Sequence, residues 1–199
     1  GCGWVGGLRV VHGGGPFGLD VASVVAQVKD QQPNVVVRCS PNNPTGTALG
    51  LDVVGAVYDA APRAIVVVDE AYAEFARAGT PSALTLLEGR DRLVVTRTMS
   101  KAFALAGGRL GYLAAASELT DALRLVRLPY HLSATTQAVA CAALEHADGL
   151  LATVELLKTQ RDSLVSGLAE MGLHPVPSDA NFVLFGRLAD EQTTWKALL

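Results

Sequence analysis

Three short runs of mostly β-branched apolar residues set the strongest limit on what this chain can fold into. They are Val35-Val36-Val37, Ile65-Val66-Val67-Val68 and Leu93-Val94-Val95. Runs this short, apolar at successive positions, are expected as strands buried on both faces of a sheet. Helical spacing fills the intervals. Asp20 is placed to cap a helix whose Val21, Val24, Val25 and Val28 share one face, and Val53, Val54, Val57 and Tyr58 mark a second. A fourth strand is expected over Leu110 to Ala116, a helix over 117–127, and one or two long helices over 134–171. In that last span Leu150, Val154, Leu157, Leu164 and Leu168 form an apolar stripe read as core packing. Asn181 to Phe185 is expected as a further strand. Strands alternating with helices predict an α/β fold, a mainly parallel sheet with helices on both faces. Such sheets take ligands beyond the carboxyl ends of their strands, so the polar residues after each run are where chemistry is sought.

Composition narrows the function classes. Half of the 199 residues are hydrophobic, which excludes an intrinsically disordered chain. A formal net charge of −3 with no Lys/Arg run argues against a basic nucleic-acid-binding surface. No apolar stretch approaches the roughly 20 residues of a membrane span, and no secretion signal opens the chain, so a soluble cytoplasmic protein is expected. Cys2, Cys39 and Cys141 are far apart and read as small apolar fillers. His12, His131, His146 and His174 form no ligand pair, so no metal site is expected.

The first 14 residues stand apart, rich in glycine. Gly1-Cys2-Gly3-Trp4-Val5-Gly6 has the spacing of a dinucleotide-binding fingerprint but lacks the preceding strand and following helix, and is read as chance. The chain ends on Trp195-Lys196-Ala197-Leu198-Leu199 without a helix cap, and a fragment is expected. The expected division is an atypical segment 1–14, a large domain 15–172, and the beginning of a smaller domain at 173–199.

Three polar segments follow the strands. Ser40-Pro41-Asn42-Asn43-Pro44-Thr45-Gly46 reads by itself as a turn. Asp69-Glu70-Ala71-Tyr72 reads by itself as a helix cap, with Glu70 and Glu74 as surface or capping acids. Thr98-Met99-Ser100-Lys101-Ala102, followed by Gly107-Gly108-Arg109-Leu110-Gly111-Tyr112, reads by itself as a solvated loop.

In this order and spacing, the set resembles the pyridoxal-phosphate-dependent enzymes of fold type I, the aspartate-aminotransferase-like group. Together with Arg127 to Ala138, which contains Pro129-Tyr130-His131, it looks most like the class II histidinol-phosphate aminotransferases. The resemblance runs from about Gly15 to the last residue. It implies pyridoxal 5'-phosphate as cofactor, with Lys101 as the Schiff-base lysine that later carries the substrate proton. It implies that Asp69 pairs with the ring nitrogen, and that Tyr72 and Asn43 donate to the ring 3′-oxygen. Arg109 would grip the phosphate, with Thr98 and Ser100 beside it. Tyr130 and His131 would lie near the site entrance, His131 itself reading as a structural histidine.

The implied reaction moves an amino group between L-histidinol phosphate and 2-oxoglutarate in a homodimer. An aromatic aminotransferase, a related decarboxylase, or an inactive fragment are the alternatives. The family also carries an upstream phosphate cup, a tyrosine reaching the partner subunit, and a downstream arginine for the substrate carboxylate, none of which is matched here. Arg38 and Cys39 stand where apolar residues are expected.

Overall fold

The structure, a computed structural model, describes residues 20–186 and 188–199. The segment 1–14, with its glycine spacing, Cys2 and His12, lies outside the described residues.

Four strands form one sheet in the order β1 (Val35–Cys39), β2 (Ile65–Asp69), β3 (Leu93–Thr98) and β4 (Gly111–Ala114). The first three run parallel. Between β3 and β4 the chain makes only a 3-10 turn, Ala106–Gly108, and β4 returns antiparallel. No crossover helix is present to carry the chain back to the start of the sheet. Gly111 lies opposite Thr98, where an added Cβ would sit 2.8 Å from the Arg97 carbonyl oxygen; only glycine lets β4 enter so close.

The core lies on one face. Asp20 accepts from the Ala22 N–H at 3.2 Å and opens α1 (Val21–Gln31), while α2 is Leu51–Ala60. Val24 and Val28 of α1 and Val54 and Val57 of α2 pack over Val36, Val66, Val68, Leu93 and Val95. Each such side chain, fully buried, contributes about 1.5–3 kcal/mol. On the opposite face Val94 is buried, but cover thins toward β1, where Val35 and Val37 are 51% and 60% exposed.

The long helical span divides at His146 into α4 (Ala134–Glu145) and α5 (Ala147–Glu170), preceded by α3 (Ser117–Val126). The apolar stripe of α5 is only partly a core. Val154 and Leu168 are buried, whereas Leu157 and Leu164 are exposed, and the buried residue midway is Arg161. Its guanidinium donates to the carbonyl oxygens of Phe75 (2.7 Å) and Ala180 (3.0 Å), so a charged group fills the face expected to be leucine.

The expected strand Asn181–Phe185 shortens to β6 (Phe185–Gly186), paired antiparallel with β5 (His174–Pro175). Before it the chain bends, because its polar groups bond outward and to each other. Asp179 N–H donates to the Gly46 carbonyl (2.7 Å), and the Ser178 hydroxyl donates to the Phe182 carbonyl (2.6 Å). A last helix, α6, spans Glu191–Ala197. Cys39 and Cys141 are exposed free thiols rather than buried fillers, since both occupy outward positions on β1 and α4. Among the described residues, no helix is long and apolar enough to cross a membrane, and no cluster of His, Cys, Asp or Glu is arranged to hold a metal.

Candidate functional site

The parallel register brings the carboxyl ends of β1, β2 and β3 level: Cys39 lies opposite Asp69, and Asp69 opposite Thr96. Each strand then releases one polar loop at the same edge. From β1, Ser40 N–H donates to the Asp69 carbonyl (2.9 Å), and the chain turns through Asn42 to Gly46. Asn42 N–H donates to the Thr47 carbonyl (2.8 Å) and Gly46 N–H to the Asn42 carbonyl (2.6 Å), which closes the loop that presents Asn43.

From β2, Asp69 is followed by Tyr72, which is buried and stands before the 3-10 turn Ala73–Phe75. The Asn43 side-chain amide donates to the Tyr72 hydroxyl at 3.1 Å, joining the first two loops. Phe182 meets the Tyr72 ring edge-on, with centroids 5.3 Å apart. From β3, Lys101 follows Thr98 and Ser100, exposed, with Nζ 5.4 Å from the Tyr72 ring centroid. Asp69, Tyr72, Asn43 and Lys101 are thus drawn to one edge by three consecutive strand ends.

Asp69 has a partner that the sequence reading missed. The Thr96 hydroxyl is 3.2 Å from Asp69 Oδ1. The only signal was a threonine ending an apolar run at the level where the neighbouring run ends in aspartate.

Thr98, Ser100 and Arg109 are less closely joined to this group. The Thr98 hydroxyl accepts from Ser100 N–H at 3.1 Å, a local turn bond. Arg109 is exposed, has a left-handed backbone (φ 48°), and donates to the Ala106 carbonyl (3.1 Å). Only Leu110 separates it from the return strand, at the same edge of the sheet. Tyr130 is fully exposed. His131 is exposed too, and lines an open cleft of about 590 Å³ with Thr96, Tyr112, Leu113 and Leu123.

Of the expectation that Glu70 and Glu74 are surface or capping acids, the surface half fails, since both side chains are largely buried. Glu70 is buried, accepts from Ala83 N–H (2.6 Å) and the Ser82 hydroxyl (2.7 Å), and pairs with Arg97 (2.8 Å). Glu74 lies 3.4 Å from the same guanidinium. Burial works against the charge on Arg97, yet the Glu70 hydrogen bond and the two carboxylates hold it more firmly protonated than usual. Beside the site, partial burial pushes the Cys39 thiol up, the Asp69 carboxylate adds to that, and Arg38 opposes it. Burial likewise lowers the Arg38 pKa, and its Nε has no hydrogen-bond partner among the described residues.

The donor set is chemically specific. One edge carries a carboxylate, a phenol bonded to an amide, and a primary amine, with the Arg109 guanidinium and the Thr98 and Ser100 hydroxyls on loops at the same end of the sheet. That combination suits a ligand with a basic ring nitrogen, a ring oxygen, a carbonyl carbon and a phosphate.

Known proteins give the same direction. At 64% identity the chain matches a histidinol-phosphate aminotransferase of Paenarthrobacter aurescens, over 92% of this chain and 50% of that protein. At 58% it matches one of Frankia casuarinae, over 98% and 49%. The chain therefore spans about half the length of the curated relatives it matches. Its fold superposes, with a TM-score of 0.78 and 29% identity, on the crystal structure of histidinol-phosphate aminotransferase from Sinorhizobium meliloti in complex with pyridoxal-5'-phosphate, covering 90% of this chain and 49% of that one. The family model of aminotransferase class I and II matches residues 8–199, and the chain belongs to that family.

Proposed function

We propose that the edge formed by β1, β2 and β3 binds pyridoxal 5'-phosphate. We further propose that the intact protein transfers an amino group between L-histidinol phosphate and 2-oxoglutarate, as a cytoplasmic homodimer. The observation that carries this reading is the meeting of Asn43, Tyr72 and Lys101 beside Asp69. Bound there, the cofactor supplies an electron sink for charge developing at the substrate α-carbon.

The residues divide that work by their chemistry. Asp69 supplies a carboxylate that would pair with the ring nitrogen and favour its protonated form. Tyr72 and Asn43 would donate to the ring oxygen; their mutual hydrogen bond keeps phenol and amide together. Lys101 Nζ is the amine that would hold the cofactor covalently, and as a free amine it would move a proton at the substrate α-carbon. Exposure of Lys101 leaves that amine within reach of an incoming substrate. Arg109 gives a planar, two-pronged donor for the phosphate, and the Ser100 and Thr98 hydroxyls extend it.

The test is direct. The protein is mixed with pyridoxal phosphate, its visible absorption recorded, the adduct reduced with borohydride, and the labelled peptide found by mass. The expected result is a visible band and a label on Lys101, both lost in Lys101→Ala. A label scattered over surface lysines would overturn the site. For the substrate, turnover of L-histidinol phosphate is expected to exceed that of aromatic amines by orders of magnitude; a preference for the aromatic amine, or release of carbon dioxide, would assign a different reaction.

A further inference from the structure

We propose that Thr96 is a positioning residue for Asp69: its hydroxyl holds one carboxylate oxygen so that the other faces the cofactor. The inference rests on the assignment of Asp69 to the ring nitrogen.

Thr96 and Asp69 are register partners in neighbouring parallel strands and point to the same face, away from the face that Val68 and Val95 share with α1 and α2. The hydroxyl lies 3.2 Å from Asp69 Oδ1. An ionised carboxylate only accepts, so the threonine donates. Both ends of this contact are fixed by main-chain bonds: Ser40 N–H to the Asp69 carbonyl (2.9 Å) and Glu70 N–H to the Thr96 carbonyl (2.8 Å). A β-branched side chain on a strand has little χ1 freedom, so the place of the hydroxyl oxygen is fixed as well. Among the described residues no donor reaches Asp69 Oδ2, which leaves that oxygen for a cationic partner.

A donor held on one carboxylate oxygen stops the group from rotating away. Valine has the same shape and an equal liking for strands, and would continue the run Leu93–Val95 without interruption. The feature that threonine adds at this position is the hydroxyl.

The experiment compares wild type with Thr96→Val, Thr96→Ala and Thr96→Ser, using pyridoxal phosphate itself as probe. It reads the dissociation constant and the pH midpoint of the bound cofactor's visible band. Loss of a hydrogen bond to a charged group is expected to weaken binding in Thr96→Val by about tenfold. The midpoint is expected to rise, because a positive ring acidifies the proton at Lys101 Nζ and a ring less often positive acidifies it less. Thr96→Ser is expected within about twofold of wild type. In an Asp69→Asn background, Thr96→Val is expected to change neither quantity further.

If the valine and alanine variants bind as wild type with the same midpoint, the role of Thr96 is overturned while the cofactor site stands. Failure of the serine variant to restore binding overturns it too, since the hydroxyl is then not the agent. Thermal melting shows which hydroxyl-free variant keeps the fold; if neither does, Thr96 serves the sheet rather than Asp69, and the inference fails. A wild-type protein that takes up no cofactor removes the cofactor site and this inference together.

Discussion

The Glu74 side chain lies 3.4 Å from Arg97 and only 11% exposed to water. Burial holds its carboxyl above the ordinary value of 4.5; its own backbone hydrogen bond and Arg97 pull the other way, and the Glu70 carboxylate adds to the rise. The folded chain therefore binds this proton more tightly than the unfolded chain does. Its contribution to stability is complete below pH 4.5 and is lost as pH rises through the raised value. Glu74→Gln, which cannot titrate, is expected to flatten that part of the stability–pH curve. Urea unfolding of both proteins at a series of pH values checks this; parallel curves would show that Glu74 titrates as though exposed.

At the level of elements, the Glu70–Arg97 pair ties the end of β2 to β3 and to the 3-10 turn Ala83–Leu86 through Ala83 N–H. Breaking a buried pair from one side leaves the other charge without a partner and costs about 3–5 kcal/mol. Glu70→Ala is expected near the low end, because Arg97 keeps Glu74 and an exposed edge. The double variant Glu70→Leu/Arg97→Leu is expected to lose less than the two single changes added together. Denaturant titration of Glu70→Leu, Arg97→Leu and the double variant measures the difference, and simple additivity would show that the two side chains act independently.

The strands, the first two helices and the three loop segments were legible in the sequence because each rests on a local pattern: a β-branched run, a helical spacing, or a proline that stops a strand. Lys101, Asp69, Tyr72 and Asn43 were singled out only by the resemblance of their loops taken together, since each segment alone reads as an ordinary turn, cap or solvated loop; the strand ends gave no more than the place to look. The partners of buried charges were not. Glu70 reads as a surface acid until Arg97 is brought beside it by the β2–β3 register, and Arg161 sits mid-helix with nothing local to show that it serves carbonyls of two distant loops. The bend at Ser178–Phe182 escaped for the same reason, since its bonds go to residues far along the chain.

Across the whole molecule, that bend fastens three regions. Asp179 Oδ1 accepts from Arg77 N–H (2.8 Å) and the Thr80 hydroxyl (3.1 Å), across a separation of 102 residues in the first case. Gly46, at φ +76°, lies so close to Ser178 that any Cβ would overlap the serine side chain. Asp179→Ala leaves the Arg77 N–H without its partner, and a loss of about 1–3 kcal/mol is expected. Amide hydrogen exchange is expected to quicken around residues 77–80 and 178–182 while the core of β2 stays protected. Unchanged exchange there would show that Phe182 and Arg161 hold the bend without the aspartate.

The bend also sets an order of events. Strands β1, β2 and β3 meet through short loop closures, whereas the Asp179 and Phe182 contacts close loops of about a hundred residues, which costs more chain entropy and comes later. During synthesis the sheet can assemble long before the ribosome has released Phe182. A nascent chain can thus carry a formed sheet while Tyr72 still lacks the Phe182 ring against its edge, and between those two moments the loop edge that presents Asn43, Tyr72 and Lys101 is one wall short.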